Sequence, residues 1–229
     1  MISGKFEQSM FDYLKAIQKG EDILVEYTSN EPIHLIFYIL LKYAKQNNIP
    51  VLIVDAVDQL HVLKAHLELA GIDTRMIDEA QVIKLGGIIT TGKVLGRVDL
   101  EETTPVWKKH YDELLKKVHS DYTLRIIVGI DKVLPLYEEN PARLEAFFGY
   151  AIRPYLGDKS RTSIYFLNTD IVGRNAVLEF EELVSRVFDI ELGEGEIAWK
   201  IRRSVDFNEY GRELKVKAQE LQEYLAETP

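Results

Sequence analysis

The sequence contains no cysteine, which excludes disulfide bonds and thiolate metal sites and fits a reducing compartment. Long apolar runs are also absent. The best candidate, IHLIFYILL, stops at Lys42, far short of the roughly 20 residues that a helix needs to span a bilayer. The N-terminal MISGKFEQSM lacks the apolar core of a signal peptide. We therefore expect a cytoplasmic protein without a membrane partner.

Positive charge is scarce relative to negative charge. The chain has 28 Lys and Arg against 37 Asp and Glu, a formal net charge of −9, which argues against nucleic acid as a partner. The five histidines have no metal-ligand spacing, and no serine lies in a G-x-S-x-G turn. The sequence therefore predicts no metal site, no cofactor and no catalytic residues.

The order of apolar segments predicts one α/β domain over residues 1–229. The strands DILVEY and VLIVDA are mostly apolar and alternate with helices, which is typical of a parallel sheet with helices on its faces. The segment 75–120 is expected to form an inserted β-ribbon plus a helix. The predicted elements are helices at 5–19, 32–47, 59–70, 103–118, 141–156, 175–186 and 209–226, and core strands at 22–27, 51–56, 124–131 and 162–169.

The stretch GGIITTGKVLG matches most of a phosphate-binding loop. Gly87 to Lys93 reads G-x-x-x-x-G-K, with Val94 where the motif needs Ser or Thr. A working phosphate loop leaves a buried strand and enters a helix, whose N-terminus faces the phosphates. Here VLGRVDL follows, which is strand-like and contains Gly96. The stretch is therefore interpreted as a Gly-rich β-ribbon or an edge pairing rather than as an ATP site.

A different segment has the right order of elements for a phosphate loop. EDILVEYTSNEPIHLIFYILLKYAKQNNIPVLIVDA resembles the first βαβ unit of RecA-fold ATPases of the KaiC/RadA type. LRIIVGID is similar to their Walker B strand, and VFDIELGEGEIAWKIRRS to their terminal strands. The resemblance implies a RecA-like three-layer fold: a mostly parallel central sheet, antiparallel strands on its C-terminal side, and helices on both faces.

The residues that hold ATP in that family are missing here. Tyr27 and Pro32 stand where the loop has glycines, Ile33 replaces the phosphate-binding lysine, and His34 replaces the hydroxyl residue that binds Mg²⁺. Tyrosine and proline resist the backbone angles of the loop, and proline removes an N–H from it. The sequence is accordingly identified as a degenerate member of the superfamily. It is similar to uncharacterised proteins of hyperthermophilic archaea.

Three further positions match the family in part. Asp131 corresponds to the Walker B aspartate that helps to hold Mg²⁺, although a plain helix cap or strand-end carboxylate is the preferred interpretation. Asp58 lies one residue from the position of the catalytic glutamate. In oligomeric relatives, a basic segment such as Lys200, Arg202 and Arg203 can reach a neighbour's nucleotide; the alternative is an exposed edge strand guarded by charge.

Two functional hypotheses follow from the resemblance. The favoured one is a non-enzymatic protein-binding or scaffold module that forms a homo-oligomer. Its partner, a protein or peptide, would bind in a groove at the carboxyl ends of the strands. The candidate groove residues are Tyr27, Thr28, Ser29, Asn30, His34, Asp58, Asp131 and Asn168. The alternative is a diverged nucleotide-binding protein or slow NTPase, with Asp131 for Mg²⁺, Asp58 as base, and Lys93 or the basic segment for phosphate.

Overall fold

The computed structural model describes residues 2–227. This part of the chain contains nine strands and ten α-helices. The strands are β1 (Asp22–Tyr27), β2 (Val51–Ala56), β3 (Gln81–Leu85), β4 (Lys93–Val98), β5 (Thr123–Val128), β6 (Arg161–Asn168), β7 (Arg186–Gly193), β8 (Glu196–Arg203) and β9 (Glu213–Lys217). The helices are α1 (Ile2–Lys15), α2 (Ile33–Gln46), α3 (Gln59–Leu69), α4 (Arg75–Glu79), α5 (Thr104–Leu115), α6 (Ile130–Val133), α7 (Pro135–Glu138), α8 (Pro141–Ala151), α9 (Arg174–Leu183) and α10 (Ala218–Glu227).

The strands form one sheet in the order β4-β3-β2-β5-β6-β1-β7-β8-β9. Neighbouring strands from β4 to β7 are parallel, whereas β8 pairs antiparallel with both β7 and β9. The carboxyl ends of seven parallel strands therefore meet at one edge of the sheet. This mixed sheet confirms the predicted fold class.

Helices cover both faces of the sheet. One apolar core contains side chains of α1, α2, α3, α4 and α10, and the other contains side chains of α5 to α9. Helix α2 is apolar almost all round and is buried along nearly its whole length, as its sequence predicts. Strand β1 is buried at every residue. Together β1 and α2 fix the position of the turn that corresponds to a phosphate loop.

Two buried ion pairs hold the beginning of β1. Arg161 donates to Asp22 at 2.7 Å, and Arg186 donates to Glu21 at 2.6 Å. Arg186 also pairs with Glu209 in a 3-10 turn at Phe207–Glu209. Buried charges are tolerated when they are paired and hydrogen-bonded, and these two arginines satisfy that condition. They tie β1 to β6, to β7 and to the C-terminal part of the sheet.

The middle of the chain differs from the sequence prediction. The segment 75–120 begins with a helix rather than with a β-ribbon, because α4 occupies its first residues, with Ile77 packed into the core. The predicted β-ribbon is wrong because β3 and β4 are parallel, which confirms the alternative of an edge pairing. The connection 86–92 must therefore run back along the sheet to the start of β4. Gly92 allows the chain to pass close to β3 there. Its φ is +73, and a Cβ there would lie 2.7 Å from Val82 Cγ2.

Two other predictions near the end of elements are corrected. Strand β5 ends at Val128, and Asp131 lies in the first turn of α6 rather than at the end of the strand. The helix predicted at 209–226 begins only at Ala218, because β9 precedes it. Leu214 and Val216 alternate with charged residues in ELKVK, so a period of two, not a helical period, turns them towards the core.

Candidate functional site

In the turn between β1 and α2, backbone amides donate hydrogen bonds to carboxylate side chains of the same chain. Glu31 Oε2 accepts hydrogen bonds from the Thr28 amide at 2.5 Å and from the Thr28 hydroxyl at 2.6 Å. The Ser29 amide donates to Asp170 Oδ2 at 2.9 Å. Pro32, the residue before α2, has no N–H to offer. Carboxylates of the chain itself thus take the amides that a phosphate loop directs towards its ligand.

Asn168 joins this turn to the end of β6. Its side-chain amide donates to Ser29 Oγ at 3.1 Å, and its Oδ1 accepts from the Asp170 amide at 3.0 Å. Asn168 is buried, whereas Ser29 and Asn30 are exposed. The structure therefore places Thr28, Ser29, Asn30 and Asn168 together, in a turn whose polar groups largely bond to one another and to Asp170.

Tyr27 and Asp131 are both buried at the same edge of the sheet. Burial, and then the Asp131 carboxylate, raises the pKa of Tyr27. Burial raises the pKa of Asp131 to about 6, and its Oδ1 has no hydrogen-bond partner among residues 2–227. Among the described side chains, no group of three or more His, Asp or Glu residues could hold a metal ion.

His34 packs against a second histidine rather than facing a ligand. Its ring lies 5.5 Å from that of His66, edge to face. Burial, and then the proximity of His66, lowers the pKa of His34 to about 4, so the imidazole is neutral at pH 7. His34 thus contacts α3, away from the hydrogen bonds of the β1–α2 turn.

Asp58 lies beside the Gly-rich connection that matches a phosphate loop in letters. Its carboxylate accepts from the amides of Ile88 at 2.8 Å and Ile89 at 3.0 Å, and from Lys84 Nζ at 2.6 Å. Burial would raise the pKa of Asp58, but Lys84 and these two amides hold it below its ordinary value. Backbone amides of the connection thus do bind an anion, and that anion is a side chain of the protein. The order of elements around 86–92 confirms that no helix follows.

Lys84 is a site residue that sequence reasoning missed, and its partner is Asp55. Both side chains are fully buried, and Lys84 Nζ lies 2.6 Å from Asp55 Oδ2. The two residues are directly opposite each other in the β2–β3 pairing. The feature of the sequence that indicates this pair is a single charged residue in each of two otherwise largely apolar strands, VLIVDA and QVIKL. Opposite charges in adjacent buried strands predict an ion pair once the pairing of the strands is known.

The basic segment of β8 is engaged within the chain. Lys200 pairs with Glu191, and Arg202 Nη1 lies 2.6 Å from Glu26 Oε2. Arg203 donates to the carbonyl of Glu181. The interpretation as an exposed edge strand is wrong, because β8 lies between β7 and β9. Each of the three positive charges is therefore paired with an acidic or carbonyl group of the same chain.

The buried carboxyl group of Glu26 should make the free energy of unfolding depend on pH. Burial, and then the Glu181 carboxylate, raises its pKa to about 7, despite the nearby Arg202. A raised folded-state pKa gives stability that is present below the unfolded pKa, near 4.5, and is lost as the pH rises through 7. We expect the wild type to lose roughly 2 kcal/mol relative to Glu26→Gln between pH 5 and pH 8.

The measurement is guanidinium unfolding of both proteins across that pH range. Glu139→Gln, at an exposed position, is the control and should follow the wild type at every pH. Parallel curves for Glu26→Gln and the wild type would show that Glu26 ionises normally in the folded protein, against this prediction.

A family model described as "Pyrococcus protein of unknown function, DUF257" matches residues 12–215. The chain belongs to this family. The match runs from the last residues of α1 into β9. DUF257 membership agrees with the expected placement in an uncharacterised family. The comparison with curated proteins gave no match.

Three solved structures similar to this DUF257 chain come from Pyrococcus horikoshii. PH0250 has a TM-score of 0.77 at 23% identity, over 93% of this chain and 97% of that one. PH0321, an uncharacterised protein crystallised with an unknown peptide, has a TM-score of 0.61 at 13% identity, over 86% and 89%. The KaiC-like protein PH0186 has 0.59 at 13%, over 85% and 84%. The last likeness supports the expected relationship to the RecA-like fold.

Proposed function

We propose that this protein is a non-enzymatic module that binds a peptide or protein segment, in a scaffold or regulatory role, on a RecA-like fold whose ATP-binding loop is degenerate. The β1–α2 turn carries the proposal. Glu31 and Asp170 take its amides, and their negative charges would repel a phosphate group in the same place. Ile33, where a phosphate-binding lysine would stand, is buried and uncharged. These features disfavour a nucleotide by charge, by hydrogen bonding and by backbone geometry together.

A peptide partner is supported by three observations. Ligands of open α/β sheets bind at the carboxyl ends of the strands, and exposed polar groups such as Ser29 and Asn30 lie there. PH0321, which is similar in fold, was crystallised with an unknown peptide. The chain contributes exposed apolar groups at this edge as well, including Val57 and Ile88. Such groups suit a peptide better than they suit the polar phosphates of a nucleotide.

Calorimetry with Mg-ATP and Mg-GTP tests whether the nucleotide site is lost. We expect no heat of binding at millimolar nucleotide. Binding tighter than about 100 μM, roughly −5.5 kcal/mol, would overturn the proposal if Asp131→Ala abolished it. That outcome would support a diverged NTPase, because Asp131 is the one residue that matches a metal-binding position of the family.

Peptide display against the immobilised protein tests the positive half of the proposal. Selection should enrich peptides that bind with micromolar affinity, about −8 kcal/mol, and that compete with one another for one site. A chain that enriches no peptide through repeated rounds would contradict the proposed function.

Light scattering measures the oligomeric state and so tests the proposed homo-oligomer. A monomer at working concentration would remove that part of the proposal.

A further inference from the structure

An open depression lies at the carboxyl ends of β2, β3 and β4, with a volume of about 760 Å³. This volume is within the range of ligand-binding clefts, roughly 300–1,000 Å³. Residues of the β2–α3 turn and of the connection 86–92 line one part of it, and residues of β4, α7 and α8 line others. The depression therefore belongs to the edge of the sheet where the proposed function places a peptide.

Two arginines line the depression without a carboxylate partner. The Arg97 guanidinium donates to the carbonyls of Gly87 and Ile88, and that of Arg143 lies 5.6 Å from the ring centroid of Tyr137. Within residues 2–227, no carboxylate oxygen lies within 4.0 Å of either guanidinium. A guanidinium has five N–H donors in a planar fork that matches a carboxylate. Both arginines therefore retain donors that an anionic group could take.

Exposed apolar side chains accompany these charges. Val57 is 39% exposed and Leu136 is 54% exposed, and both line the depression. The backbone of Val57 is left-handed, with φ of 51°, which is a costly conformation for a β-branched residue. The Val57 amide, which donates to the Leu85 carbonyl at 3.0 Å, helps to hold it. Strain of this kind occurs preferentially at ligand-binding sites.

The depression also contains acidic groups, which restrict the ligand. Asp99 and Glu101 line it, and Asp99 Oδ1 accepts from the Glu101 amide at 2.9 Å. A strongly acidic segment would meet these carboxylates as well as the two arginines. A ligand with a single carboxylate avoids that repulsion, and its N–H groups could donate to Asp99 or Glu101. One carboxylate beside one apolar group is the chemistry that this lining complements.

We infer that this depression binds a peptide that presents one carboxylate next to an apolar side chain. Arg97 and Arg143 hold the carboxylate, and Val57 and Leu136 contact the apolar group. The inference rests on the proposed peptide-binding function and adds its location and its chemistry. The carboxylate can come from the C-terminus of a chain or from an Asp or Glu side chain, and the experiment separates these sources.

Fluorescence polarisation with three labelled peptides provides the test. The first is Gly-Ser-Gly-Ser-Ala-Leu with a free C-terminus, the second is its C-terminal amide, and the third is an amidated peptide with an internal Leu-Asp pair. We expect the first or the third to bind at least tenfold more tightly than the second. The double variant Arg97→Gln/Arg143→Gln should weaken that binding at least tenfold, and Leu136→Ser at least threefold.

Matched controls use exposed residues elsewhere. Arg212→Gln removes an exposed arginine of the β8–β9 connection, and Leu69→Ser removes an exposed leucine at the end of α3. Neither should change the affinity. Equal binding of all three peptides, or display-selected peptides that bind independently of Arg97 and Arg143, would overturn this inference and leave the proposed function standing. Failure of every peptide, selected ones included, would overturn both.

Discussion

Replacing Lys84 by methionine should lower the free energy of unfolding by about 3–5 kcal/mol. The methionine side chain has a similar length but no charge. It would leave Asp55, whose side chain is fully buried, and Asp58 without the ammonium that lies 2.6 Å from each. An uncompensated buried carboxylate is much more costly than a lost surface ion pair, because water cannot reach it. Guanidinium unfolding at pH 7 measures the difference.

Lys64 supplies a matched control for this result. Its Nζ also lies 2.6 Å from a carboxylate oxygen, that of Asp78, but both side chains are partly exposed. Lys64→Met should therefore cost less than about 1 kcal/mol. The double variant Asp55→Asn/Lys84→Met removes the charge together with its partner and should recover part of the loss. If Lys84→Met were as mild as Lys64→Met, the buried pair would not stabilise this edge of the sheet.

The fold could be predicted from the sequence where burial is continuous. DILVEY is mostly apolar and the helix that follows it is apolar almost all round, and only a central strand and a covered helix satisfy that pattern. The order of these segments then restricts the topology to a parallel sheet with helices on both faces. The β1–α2 turn could be placed for the same reason, since its neighbours on both sides are unambiguous.

The prediction was wrong where local patterns depend on distant partners. ELKVK forms β9 only because β8 offers it an edge, although its residues fall within the helix predicted at 209–226. KVLGRV is parallel to β3, whereas the stretch GGIITTGKVLG taken alone is compatible with a β-ribbon as well as with an edge pairing. The Asp55–Lys84 pair depends on the β2–β3 register, which no short window of sequence contains.

The same dependence explains the two interpretations of GGIITTGKVLG. Its letters match a phosphate loop, and its amides do bind an anion at Ile88 and Ile89. The anion is Asp58, and the β1–α2 turn repeats the arrangement with Glu31 and Asp170. At two places along this edge, a carboxylate of the chain thus takes backbone amides that could otherwise bind a ligand. This is a physical reason to expect a partner other than a nucleotide.

Gly129→Ala should destabilise the protein by about 3–5 kcal/mol. Gly129 precedes α6 with φ of +79, and a Cβ there would lie 2.2 Å from the Ala56 carbonyl oxygen and 2.8 Å from Gln59 Cβ. Alanine would add the strain of a left-handed backbone to a clash with the end of β2. The β2–α3 and β5–α6 turns could then no longer pack together. Their contact is what holds Asp58 and Asp131 in position. Guanidinium unfolding measures the loss.

Gly157→Ala separates the two causes. Gly157 has nearly the same backbone angle, φ of +75, but a Cβ there would meet nothing within 4 Å. That variant should cost only about 1 kcal/mol, because it carries the strain without the clash and the unfolded chain loses entropy with the added methyl group. The difference between the two variants therefore measures how closely the two turns approach each other. Equal losses would mean that β2 moves aside freely, and that the edge does not hold Asp58 and Asp131 at fixed positions.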